Sequence, residues 1–133
     1  MKKVIVIIEK DENGFDAFID GINSTVIGEG KSVAEAKADL DNSYEEVKRS
    51  YIENGKEVPE ELRDLFFEYK YDISALFNAF DFLNVSKFAA RIGVSPSLMR
   101  HYKGGNTYIS SVQAKKIEKG LHQIAQELMS VIL

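Results

Sequence analysis

Arg100 and His101 lie in a segment, VSKFAARIGVSPSLMRHYKG (85–104), whose polar side chains are spaced for recognition rather than for making bonds. On a helix starting at Pro96, the residues Ser97, Arg100 and His101 recur at three- and four-residue spacing and share one face, with Ser95 at its start and Lys103 near its end. A guanidinium offers a planar pair of N–H donors that matches O6 and N7 of guanine, so Arg100 is the candidate base reader. Ser97 and His101 either read a base edge or position the helix. Lys103, with Lys87 and Arg91 on a preceding helix and Lys115 and Lys116 further on, is suited to phosphates, a salt-sensitive attraction that carries no sequence information.

The elements that must hold these side chains are legible too. Ser86 is read as the cap of a short helix ending at Ile92, and Gly93 supplies the left-handed residue of a sharp turn. Ser95 caps a second helix with Pro96 in its first turn, where the missing N–H costs nothing. Small Ala89 fits a close helix crossing, and Phe88, Ile92, Val94, Met99 and Tyr102 fall at the spacing that seals the pair against a third helix. Gly104 and Gly105 end the second helix. Two short helices joined this way describe a helix-turn-helix, whose second helix fits the major groove of double-stranded DNA.

Other chemistries are poorly served. The chain has no Cys, which excludes disulfides, thiol nucleophiles and cysteine zinc sites. His101 and His122 stand apart on different helices, so no metal site is expected. The glycines at 28, 30, 104 and 105 do not form a phosphate loop of the type G-x-x-x-x-G-K, so no cofactor is expected either. Glu9, Asp16, Asp20 and Glu45 come nearest to the carboxylate set of a two-metal nuclease. Asp16 and Asp20 alternate with Phe15 and Ile19, however, and read as the solvated face of a strand. The expectation is a binding protein with no catalytic residues.

A length of 133 residues suits one average domain or two small ones, and 44% hydrophobic with 29% charged residues marks a folded chain rather than a disordered one. The longest apolar run, Val4 to Ile8, is far short of the roughly 20 residues that span a bilayer. A cytoplasmic protein without a membrane partner is expected. The net charge of -4 is unevenly spread: residues 1–70 hold 10 Lys and Arg against 17 Asp and Glu, whereas residues 71–133 hold 7 against 4. The halves therefore suit different partners, although an acidic surface can also serve solubility alone.

Residues 2–9 and 15–20 read as strands joined by a hairpin at Asp11-Glu12-Asn13-Gly14, with a third short strand at Thr25–Ile27. Gly28 and Gly30 break the pattern before Ser32, which with Glu35 forms a capping box. The stripe Val33, Ala36, Leu40, Tyr44, Val47, Tyr51 gives a helix of about six turns ended at Gly55. Leu65–Tyr71 (LFFEYKY) alternates as a fourth strand. After Tyr71 the spacing is helical throughout. The expected fold class is α+β: a small antiparallel sheet covered by one long helix (β-β-β-α-β) over residues 1–71, followed by an all-α domain over residues 72–133.

In these features the chain resembles a HicB-type antitoxin. VIVIIEKDENGFDAFID, the GEG that leads into SVAEAKADLDNSYEEV, and the closing strand resemble that family's degenerate RNase H-like domain. GVSPSLMRHYKGGNTYISSVQAKKIEKGLHQIAQEL is similar to the Xre/Cro-like helix-turn-helix many of its members carry. Where the family often has a proline-containing loop, this chain has Asp20-Gly21-Ile22-Asn23-Ser24. The resemblance implies an antitoxin that neutralises a HicA-like mRNA-cleaving toxin and represses its own operon. The alternative is a stand-alone helix-turn-helix regulator without a toxin. A homodimer or higher even oligomer is expected, because two recognition helices meet half-sites about 34 Å apart. The stripe Ile117, Leu121, Ile124, Leu128 with Val131 and Ile132 is favoured as the dimer seam, and the edge of the sheet is its rival.

Overall fold

Lys2–Asp11 forms strand β1 and Gly14–Ile19 forms β2, an antiparallel hairpin in the computed structural model, which describes residues 1–23, 26–105 and 107–133. The link through Glu12 and Asn13 closes tightly because Asp11 Oδ1 accepts the backbone N–H groups of Asn13 (2.7 Å) and Gly14 (2.9 Å). Gly14 has φ 150°, and a Cβ there would lie 2.2 Å from the carbonyl oxygen of Gly30.

β3 (Ile27–Gly30) pairs antiparallel with β2, setting Ala17 opposite Gly28 and Phe15 opposite Gly30. The strand expected at Thr25–Ile27 thus begins at its last residue, Thr25 itself lying outside the described residues. The two glycines belong to the strand instead of interrupting it. Their role is close approach: a Cβ on Gly28 would lie 2.3 Å from the Ala36 carbonyl oxygen and the Leu40 nitrogen of the following helix, α1 (Val33–Glu53). Ser32 caps α1 by accepting the N–H of Glu35 at 3.1 Å, and Glu35 Oε2 reaches back to the N–H of Lys31 at 2.7 Å, one residue before the usual partner of a capping box. Gly55, at φ 69°, takes up the left-handed position after Asn54.

A connection containing one 3-10 turn (Glu60–Leu62) leads to β4 (Leu65–Tyr71). The sheet order is β3-β2-β1-β4, and β4 runs parallel to β1, with Val6 opposite Tyr69. The sheet is therefore mixed, which corrects the expected antiparallel sheet. The cause is α1: its 21 residues span about 30 Å and carry the chain back across the sheet, so the next strand repeats the direction of β3 and β1. Val6, Ile8, Phe15, Ala17 and Ile19 point to α1 and are buried with its Ala36, Leu40 and Tyr44. Each large apolar side chain so buried contributes roughly 1.5–3 kcal/mol. The Tyr44 ring meets Phe67 edge-on at 5.4 Å, and its hydroxyl donates to the Leu62 carbonyl at 2.5 Å. No residue on the opposite face of the sheet is buried, Ile5, Ile7, Phe18, Ile27 and Phe66 included.

The remaining elements are helices: α2 (Ile73–Ala79), α3 (Val85–Ile92), α4 (Pro96–Gly104) and α5 (Ser111–Met129). The chain forms two compact units, Met1–Ala79 and Phe80–Leu133, so α2 joins the first and supplies the buried Ala75 to its core. Among the described residues, no helix is long and apolar enough to cross a membrane.

Candidate nucleic-acid interface

The turn between α3 and α4 follows from three residues. Gly93 sits at φ 76°, and its N–H bonds back to α3. Val94 is buried, and its N–H donates to the Ala89 carbonyl at 2.9 Å. Ser95 Oγ then accepts the N–H of Leu98 at 3.4 Å, with Pro96 in the first turn of α4. Phe88, Ala89, Met99 and Tyr102 are buried between the helices, as the sequence predicts, while Ile92 is half-buried. α4 ends at Gly104, and Gly105 at φ 76° closes it.

The start of α3 differs from expectation. Its cap is Asn84, whose side chain accepts the N–H of Lys87 at 2.9 Å, and Ser86 lies inside the helix. Asn and Ser cap about equally well. Starting two residues earlier wins because it places Val85 on the inward face with Phe88 and Ala89, where all three are buried. Freed from capping, Ser86 Oγ accepts a hydrogen bond from Arg100 Nη1 at 2.8 Å. A pair 14 residues apart across a turn leaves no local sequence signal.

The helix pair brings Ser95, Ser97, Arg100 and His101 to one exposed surface, with Lys87 exposed on α3 and Lys103 half-buried near the end of α4. Three further cations are engaged within the unit. Arg91 pairs with Glu127, Lys115 with Glu118 at 3.1 Å, and Lys116 Nζ donates to the Gly93 carbonyl at 3.3 Å. All of these are exposed, so each pairing is weak and exchangeable against a phosphate. Gly120 of α5, which the sequence pattern does not single out, is buried under Phe88 and Ile92, and a Cβ there would meet Ile92 Cγ2 at 2.5 Å. α5 is capped by Ser110 and buries Ile117, but its stripe runs out of cover: Leu121 and Ile124 are half-buried, and Leu128, Met129, Val131, Ile132 and Leu133 are exposed.

The first unit carries the opposite charge in a regular array. Glu9 faces Asp16 and Asp16 faces Glu29 across three adjacent strands, on the side of the sheet away from α1. Partial burial, a hydrogen bond with Asp11, and the charges of Asp11, Glu29 and Glu9 push the Asp16 carboxyl up to about 6. The same hydrogen bond, with the N–H groups of Asn13 and Gly14, holds Asp11 below its ordinary value. Of the four nuclease candidates, only Glu9 and Asp16 are brought together. Asp20 lies roughly 13 Å further along at strand rise, and Glu45 sits on α1 in an ion pair with Lys48 at 3.0 Å. Among the described residues no group of three or more His, Cys, Asp or Glu is placed to hold a metal ion.

Comparison of the chain with protein-family models, with curated proteins and with solved structures returns no match to any of them.

Proposed function

We propose that this chain is a DNA-binding antitoxin. Its second unit acts as a helix-turn-helix in which α4 enters the major groove of operator DNA, and its first unit, a HicB-like remnant of an RNase H-like domain, holds a basic, HicA-like mRNA-cleaving toxin. The reading rests above all on the α3–Gly93–α4 arrangement: a left-handed glycine turn, a capped second helix with a buried inner face, and an outer face bearing Ser97, Arg100 and His101. Arg100 is the base reader, and Lys87, Arg91 and Lys103 meet phosphates. The three carboxylates in register support the second half of the proposal, since they offer a negative surface to a protein that itself grips RNA. Nothing in the array requires catalysis, and the protein acts in the cytoplasm, where its operator and toxin are.

The exposed apolar end of α5 supports a twofold dimer, which places two recognition helices on successive half-sites. Truncation after Glu127 is expected to lower dimerisation, read by analytical ultracentrifugation, together with operator affinity; unchanged dimerisation would move the seam elsewhere, to the sheet edge. The deciding experiment is a gel shift on the DNA upstream of the protein's own gene, with and without the product of any adjacent small gene. A sequence-specific shift that strengthens or dissolves with that product supports the whole proposal. A specific shift without a copurifying basic protein favours a stand-alone regulator. No specific shift overturns the DNA-binding half.

A further inference from the structure

The contact between α3 and α4 goes beyond holding the two helices together. We propose that Ser86 is a positioning residue for base recognition, fixing the guanidinium of Arg100 so that its Nε–Nη2 edge is presented to a guanine. This inference rests on the DNA-binding reading and adds a second residue to it.

Three observations carry the assignment. First, Arg100 Nη1 donates to Ser86 Oγ at 2.8 Å, linking the recognition face of α4 to the first turn of α3. Second, the Ser86 hydroxyl is available for this because Asn84, and not Ser86, caps α3. Third, the acceptor is neutral. Arg91 is paired with the carboxylate of Glu127, which offsets its charge, whereas a hydroxyl orients Arg100 and leaves its full positive charge for DNA.

The chemistry of the guanidinium gives the bond its meaning. Nε and Nη2 form one of its parallel donor pairs, and that pair matches guanine O6 and N7 as well as the end-on pair does. Anchoring Nη1 leaves the Nε–Nη2 pair free. It also removes rotations that an exposed arginine would otherwise lose only on binding, so more of the contact's strength appears as discrimination between bases. Ser86 acts through Arg100 and need not touch a base.

The test uses the full-length protein and a randomised duplex library. Sites selected by the wild type are remeasured with every single-base change for the wild type, Arg100→Ala, Ser86→Ala and Ser86→Thr. The wild type is expected to prefer guanine at one position by about 5- to 150-fold, and Arg100→Ala to flatten that position. Ser86→Ala should lose at least about two-thirds of the preference there while binding non-specific duplex as the wild type does, and Ser86→Thr, which keeps the hydroxyl, should restore it. A thermal melt of each variant separates this from unfolding: a purely structural serine would lower the melting point and weaken all sequences alike. Ser86→Ala with the full guanine preference overturns the positioning role and leaves the DNA-binding reading standing. A wild type that selects no sequence overturns both.

Discussion

The acidic row on the sheet and the cationic face of α4 present opposite charge in different ways. On the sheet, Glu9, Asp16 and Glu29 are forced into register by strand pairing, and with Asp11 close by the middle carboxyl resists ionisation until about pH 6. On α4, Arg100 and its neighbours are separated by helical spacing, and the guanidinium is held by a neutral hydroxyl. The sheet stores repulsion that a cationic partner would relieve, while the helix holds a cation beside a neutral partner. A surface of the first kind gains from being covered. One of the second kind gains from being inserted.

That contrast depends on two helices lying close to what they cover, and two glycines test it most severely. Gly28→Ala places a Cβ 2.3 Å from the backbone of α1, where no side chain can move aside. A cost of about 3 kcal/mol or more is expected, a large share of the 5–15 kcal/mol typical of a whole domain, with the short β3 released. Gly120→Ala meets Ile92 Cγ2 at 2.5 Å, a side-chain atom with some freedom, and regains about 1 kcal/mol of helix propensity, so its net cost should be smaller. Chemical denaturation of both variants checks the order. If Gly120→Ala proved the more damaging, the close fit would belong to the helical unit rather than to the sheet.

The next effect in size concerns the cationic face. Arg100→Ala should cost on the order of 1–3 kcal/mol at one base pair and relax preference there, whereas Lys103→Ala should weaken all sequences more evenly and lower the salt slope by about 1. Affinities measured against salt concentration on specific and non-specific duplexes distinguish the two. Equal losses on both duplexes for Arg100→Ala would reduce that face to a phosphate contact.

Local physics made most of the fold legible. β-branched residues marked β1, apolar–polar alternation marked β2, the Ser32–Glu35 pair marked the start of α1, and β4 lies where its alternating aromatics predict. What failed was decided at a distance. Gly28 and Gly30 read as a break because the spacing of a strand and the backbone it touches are set by α1, five to twelve residues later. The parallel pairing of β4 depends on where α1 returns the chain, which no short window contains. In the candidate site, spacing gave the face shared by Ser97, Arg100 and His101, but not the Ser86–Arg100 bond, since only the turn at Gly93 brings those residues together. The carboxylate row was half visible: alternation placed Asp16 on the solvated face, but its neighbours Glu9 and Glu29 come from strand register.

The smallest effect sharpens the acidic side of the contrast. Asp16 binds its proton in the folded protein near pH 6, whereas an unfolded aspartate does so near 3.8, so the folded state gains stability from this group as pH falls from above 6 toward 4. Asp11 works in the opposite sense, because its depressed value makes its contribution vanish only at lower pH, so the pair should be most stable between the two. The Asp16 carboxyl still reaches water, and its penalty at pH 8 is therefore about 1 kcal/mol, well below the roughly 3 kcal/mol that a rise from 3.8 to about 6 would give without solvent screening. Asp16→Asn keeps a donor for Asp11 and removes the central charge. It should raise stability at pH 8 by about 1 kcal/mol, raise it by about half as much at pH 5, and flatten the curve between. Denaturant midpoints at the two pH values decide it. A variant no more stable than the wild type at pH 8 would mean that the row carries no stored repulsion, and that a basic partner has nothing there to relieve.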